Sequence, residues 1–232
     1  MIDYEYIRSK TLEVYIECKV KSFPLNCIFL LKHYGLKCKK YSDLSLAKQK
    51  HCFQISEDAF TLNDIVFYND NINPSRIMFT LMHELGHKIL SHTDYLNKQS
   101  EIEANTFASN IIAPRIAIHY SSKNYHDVMN IFGLSEEAAN IAFDDYKRWR
   151  RYIITHNNKI SELDKNFYNH FYNKKAKKFV YKSSECLICG RKMYNTFNQD
   201  CDVCTLPRYT NSSYDELNCQ LLIAESNWLY GE

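Results

Sequence analysis

Apolar positions recur at helical spacing along much of the first 150 residues. Over 3–20, Ile7, Leu12, Tyr15 and Ile16 fall roughly on one stripe, which predicts a first helix. Ser22-Phe23-Pro24 has the form of a helix start, a capping serine followed by proline near the first turn. The helix it predicts runs through Ile28, Leu30 and Leu31 to Gly35, a favoured stop residue. Three short strands are then expected at 36–41, 59–62 and 64–68, the last two joined by an Asn63-Asp64 hairpin turn. Asn73-Pro74-Ser75 opens a strongly apolar helix to about 91. Another helix is expected from Ser100 to near Pro114. A helical region covers 135–150, with Ser135 as its cap and Gly133 before it. After about 152, Asn, Lys and Tyr dominate and the periodicity weakens. The chain therefore divides into a main α+β domain over 1–151, a basic helical connector over 152–180, a small cysteine-bearing module over 181–209 and a tail over 210–232. In the tail, Leu217, Leu221, Leu222, Ile223 and Trp228 predict a helix. There is no internal repeat.

Composition narrows the class. Apolar residues make up 45% and charged residues 24% of the 232, which is globular usage and excludes disorder along the whole chain. Five Gly and four Pro exclude a fibrous protein. No apolar run approaches the roughly 20 residues that span a bilayer; Cys27-Ile28-Phe29-Leu30-Leu31 stops at Lys32. Met1-Ile2-Asp3-Tyr4-Glu5 is acidic and lacks the form of a secretory signal, so a cytosolic location is expected. Nine cysteines in a reducing compartment then point away from a disulfide framework.

The net charge of +2 hides an asymmetry, because 147–192 holds 13 Lys/Arg against three acids. Such a block can touch nucleic acid or an acidic partner. The aromatic residues interleaved there, Phe167, Tyr168, Phe171, Tyr172, Phe179 and Tyr181, suit single-stranded nucleic acid. They suit a helix packing on the main domain equally, and packing or protein docking is the favoured reading.

The first chemical constellation is His83-Glu84-Leu85-Gly86-His87 inside the helix that follows Pro74. Positions four apart share a helix face, so both imidazoles can reach one metal ion. Glu84 lies about 100° away on the wheel, beside the position where a water on that ion would sit. A metal lowers the pKa of such a water to about 7, and a neighbouring carboxylate can take its proton. A buried histidine pair without a metal would need other partners. His92 follows closely and could aid the site.

These residues carry a resemblance. Phe79-Thr80-Leu81-Met82-His83-Glu84-Leu85-Gly86-His87 resembles a signature of the ImmA/IrrE metallo-endopeptidases. Glu101-Ile102-Glu103-Ala104-Asn105-Thr106-Phe107-Ala108, with Ile111-Ile112-Ala113-Pro114, is similar to that family's next block. So are the strand Asp64 to Asp70, and Phe132-Gly133-Leu134-Ser135 with Ala138 and Ala139, so that the likeness covers about 3–150. Met82 and Ile-Ile-Ala-Pro depart from the family's usual residues, at no ligand position. The resemblance implies a zincin-like domain with a small sheet beside the active-site helix. It implies Glu101 as third metal ligand and Asn105 as the residue holding a ligand imidazole. It also implies a protein substrate, commonly a helix-turn-helix repressor encoded on a phage or mobile element, whose cleavage switches on genes.

The local sequence separates Glu101 from Glu103. Ser100 and Glu103 form a capping box, giving Glu103 a task at the helix start. On the wheel Glu101 shares a small, mostly apolar arc with Ala104, Asn105, Ala108 and Ile112, while Glu103 falls on a polar arc expected to face solvent.

The second constellation is Cys186, Cys189, Cys201 and Cys204, two C-x2-C pairs eleven residues apart. Four thiolates fill a tetrahedral zinc site and leave no open position, which marks a structural site. So small a module draws its folding energy from the metal. Cys18, Cys27, Cys38, Cys52 and Cys219 read as small apolar residues instead.

The leading reading is a cytosolic zinc endopeptidase with a C-terminal zinc ribbon. In it His83, His87 and Glu101 hold the catalytic metal and Glu84 is the general base; a His/His/Glu set also accepts Mn²⁺. The second reading is a non-catalytic regulator that binds nucleic acid through the ribbon and connector. An intact Glu84 argues against it.

Overall fold

The computed structural model describes residues 2–92, 97–156 and 160–206. Helix α1 (Tyr4–Glu17) starts where the Asp3 carboxylate accepts the Tyr6 N–H at 2.9 Å. Helix α2 (Cys27–His33) starts later than Ser22-Phe23-Pro24 suggests, because its cap is Asn26, which accepts the Phe29 N–H at 3.0 Å. The cause is the Phe23 ring. It is buried against Phe132 and Phe171, and the Phe23 N–H donates to the Tyr181 carbonyl at 2.9 Å, so this stretch is committed to the core before the helix begins.

Strands β1 (Lys37–Lys40), β2 (Ala59–Leu62) and β3 (Ile65–Tyr68) form one sheet in the order β1-β3-β2. β1 runs parallel to β3, and β2 pairs antiparallel to it in the register Thr61↔Val66. Asn63 and Asp64 both have positive φ, 49° and 57°, as a two-residue hairpin requires. Val66, on the central strand, is fully buried. Between β1 and β2 lies helix α3 (Leu46–Ile55), which the sequence pattern does not predict. Its only fully buried residue is Cys52, so it carries no apolar stripe to announce it.

Helix α4 (Pro74–Ile89) is capped by Asn73 with proline in its first turn. It packs on α5 (Lys98–Ile112) at very close range. A Cβ at Gly86 would lie 3.1 Å from Phe107 Cδ1 and 3.2 Å from backbone atoms of Ala104. α5 begins before Ser100, because Asn97 is its cap and accepts the Gln99 N–H at 2.9 Å. Ser100 therefore lies inside the helix, and the capping box is absent.

Helices α6 (Arg115–Ser121) and α7 (Tyr125–Phe132) are too short for sequence periodicity to show. α8 (Glu136–Thr155) is capped by Ser135, as read, and continues five residues beyond 150. Helix α9 (Glu162–Phe171) and the ribbon of β4 (Tyr172–Asn173) and β5 (Lys178–Phe179) follow.

This basic stretch packs on the main domain. Phe167, Phe171 and Phe179 are buried with Tyr15 in the main core. Asp164, completely buried, accepts from Arg8 on α1, from Arg115 on α6 at 2.8 Å and from Ser161 at 2.8 Å. The first folded unit accordingly runs to Ser183.

The second unit starts at Ser184 and holds most of strand β6 (Ser183–Glu185), β7 (Lys192–Tyr194) and the single turn α10 (Asp202–Thr205). Cys186, Met193 and Cys201 are its buried centre. The helix expected around Leu217 and Trp228, and Cys219, lie outside the described residues. Among the described residues no helix is long and apolar enough to cross a membrane.

Candidate metal centre

Two helices build the first site. α4 carries His83 and His87 one turn apart, which brings their Nε2 atoms to 3.0 Å. α5, held against α4 at Gly86, brings Glu101 under them. Its carboxylate oxygens lie 3.4 Å from His83 Nε2 and 3.2 Å from His87 Nε2. Ligands on a tetrahedral ion with arms of about 2.0–2.1 Å sit about 3.3 Å apart. The three donor atoms therefore fit one small divalent cation, with a fourth direction left over.

The imidazole tautomers fit as well. His83 Nδ1 lies 2.9 Å from Asn105 Oδ1, which only accepts, so the ring donates there and Nε2 keeps its lone pair. His87 is set by a longer chain that the sequence reading did not assemble. His92 Nε2 lies 3.1 Å from the Glu103 carboxylate, and His92 Nδ1 lies 3.0 Å from His87 Nδ1. The carboxylate accepts from His92 Nε2–H, so His92 Nδ1 accepts from His87 Nδ1–H. His87 Nε2 then turns its lone pair toward His83 and Glu101. Burial first, then His83 and His92, push the His87 imidazole down to about 4, so it is neutral near pH 7. A neutral imidazole is the ligating form.

Glu103 thus departs from the reading of a solvent-facing cap. Its side chain is 21% exposed against 43% for Glu101. The wheel alone could not show this, because what covers Glu103 is His92, brought in from the end of another helix.

Glu84 is buried on the side of α4 that faces β2. The Thr61 hydroxyl donates to Glu84 Oε2 at 2.6 Å. Burial raises the carboxyl above its ordinary range, and Glu101 adds to that. The Thr61 hydrogen bond and His83 pull it back. Thr61 was also missed, because only the β2 register aims its hydroxyl at α4.

The second group lies in the other unit. The Sγ atoms of Cys186, Cys189, Cys201 and Cys204 all lie within 4.8 Å of one another. Cys189 and Cys201 are 3.7 Å apart, close to the roughly 3.8 Å that Zn–S arms of about 2.3 Å impose on a tetrahedron. The turn after Cys189 closes at Gly190, whose φ of +69° most side chains resist. The Cys201 N–H donates to Cys186 Sγ at 3.3 Å, which holds that thiol down to about 6 and favours the thiolate. Of the other cysteines, Cys18, Cys27 and Cys52 are buried and Cys38 is partly so, and among the described residues none of them joins a group that could hold a metal.

Residues 41–144 match a peptidase family described as the IrrE N-terminal-like domain. The match spans just under half of the chain, less than the 3–150 of the sequence resemblance, and it contains both helices of the first site. No curated protein matches the chain.

Proposed function

We propose that this chain, which carries an IrrE N-terminal-like metallopeptidase domain, is a cytosolic zinc endopeptidase that cuts a helix-turn-helix repressor and so switches on the genes it silences. One observation carries the reading: Nε2 of His83, Nε2 of His87 and the Glu101 carboxylate stand at tetrahedral separations, with Glu84 next to them. The donor set, two imidazoles and a carboxylate with one direction open, is that of a catalytic rather than a structural zinc site. Bound there, a zinc ion supplies a Lewis acid and an acidified water.

The chain's own groups do the rest. Asn105 and the Glu103–His92 pair fix the ligand rings. Thr61 occupies Glu84 Oε2, which leaves Oε1 as the atom that takes a proton from the attacking water and returns it to the leaving amine. Burial strengthens Glu84 as a base near neutral pH, because a general base works best with its pKa near the working pH. The four-cysteine group has no open position and serves as a structural zinc site. The specific substrate rests on the family alone.

The test is co-expression with candidate repressors. Wild type should produce a discrete new N-terminus in one of them, and Glu84→Gln should produce none. Cleavage by Glu84→Gln at the wild-type rate would contradict the mechanism. Intact repressors under every inducing condition would contradict the substrate.

A further inference from the structure

We propose that the face built from α6, α9 and the β4–β5 turn binds single-stranded nucleic acid. Two observations carry this, and neither depends on the peptidase reading.

The first is a sorting of aromatic residues. Phe167, Phe171 and Phe179 point into the core, whereas Tyr120 and Tyr172 remain 43% and 38% exposed. Tyr168 joins them. Its ring lies 4.5 Å from Tyr120 and 5.6 Å from Tyr172. Phe179 underlies the group, its plane within 20° of Tyr120 and 25° of Tyr168. The result is a row of three tyrosines on a rigid aromatic base. A cavity of about 160 Å³ opens beside it, lined by Tyr120, Tyr168, Lys165 and Asn169 among others. Core packing explains the phenylalanines but leaves three phenol-bearing rings side by side at the surface.

The second is charge. Lys147, Arg148 and Lys165 are each paired with a carboxylate three residues away. Lys174, Lys175, Lys177 and Lys178, which follow Tyr172 directly, are exposed and have no ion pair among the described residues. Four unneutralised ammonium groups beside a row of tyrosines match a strand of phosphates whose bases can turn onto the rings. A duplex offers the phosphates but keeps its bases stacked. An acidic peptide offers charge but does not carry a flat ring at every unit of its backbone, as a nucleic-acid strand does.

Fluorescence anisotropy with the full chain and labelled oligo(dT) and oligo(U) of about 16 nucleotides tests this. Both should bind, with a slope of log affinity against log salt of about −3 for four phosphate contacts. The tighter of the two identifies DNA or RNA as the source. Lys174→Gln/Lys175→Gln/Lys177→Gln should reduce the slope by about 2. Tyr172→Ala should weaken binding by at least about five-fold, as should Tyr120→Ala on a separate element, and Tyr172→Phe should restore it. Unchanged binding in both alanine variants, equal affinity for a duplex, or equal competition by polyglutamate would each overturn the proposal. So would binding that ignores these variants and vanishes with Cys186→Ser/Cys189→Ser, which places it on the four-cysteine unit.

Discussion

Three carboxylates within one small site have three different surroundings, and each predicts a different mutant. Glu101 reaches both imidazoles, so Glu101→Ala should lose the first metal ion and all cleavage. Glu103 touches no metal-facing atom. It holds His92, which holds His87, and loss of such an outer partner costs roughly 10–100-fold in metal affinity. Glu103→Ala and His92→Ala should therefore bind the ion more weakly while retaining the fold, as read by competition with a chelator of known affinity. Unchanged affinity in both variants would show that His87 keeps its tautomer without them. The His83-Glu84-x-x-His87 spacing was legible because helix pitch alone puts the rings together. The His92–Glu103 link was not, because it joins two helices across residues 93–96 and depends on tertiary packing.

Helix α4 can approach α5 only because position 86 lacks a side chain. Gly86→Ala would set a Cβ 3.2 Å from backbone atoms of Ala104, where nothing flexible can yield. Overpacking of this kind costs about 1–3 kcal/mol, and here it also separates Glu101 from the histidines. A urea titration should show the lost stability, and metal analysis a weakened first site. Full stability in Gly86→Ala would mean that the helices slide apart freely. In the small unit the reasoning is reversed, because Cys186, Met193 and Cys201 are its buried cluster among the described residues. Cys186→Ser/Cys189→Ser should remove one metal equivalent and unfold that unit, which proteolysis of 184–206 would report. Helices with an apolar stripe and a capping residue, such as α4 and α8, were readable from sequence. α3 was hidden because it buries only Cys52, and the start of α5 was misplaced because Ser100 looks like a cap while Asn97 is the cap.

At the scale of the whole molecule, the aromatic residues after 152 split, with Phe167, Phe171 and Phe179 packed in the core, as the favoured reading expects, although lysines and asparagines dominate the sequence around them. The anchor of this region is Asp164, fully buried between two arginines. Removing one partner of a buried charge cluster costs about 3–5 kcal/mol, so Asp164→Ala should lower the unfolding free energy of the first unit by that order in chemical denaturation. A loss below about 1 kcal/mol would show that 160–180 is not part of its cooperative core. The central claim is that the chain hydrolyses protein with a metal held by His83, His87 and Glu101 and with Glu84 as base. The most direct measurement compares wild type and Glu84→Gln at matched, verified metal content, following a new N-terminus in a protein substrate by mass spectrometry. The amide is nearly isosteric and cannot take a proton, so Glu84→Gln should carry the same metal, melt at the same temperature and leave the substrate intact. Equal cleavage by the two proteins would contradict the account.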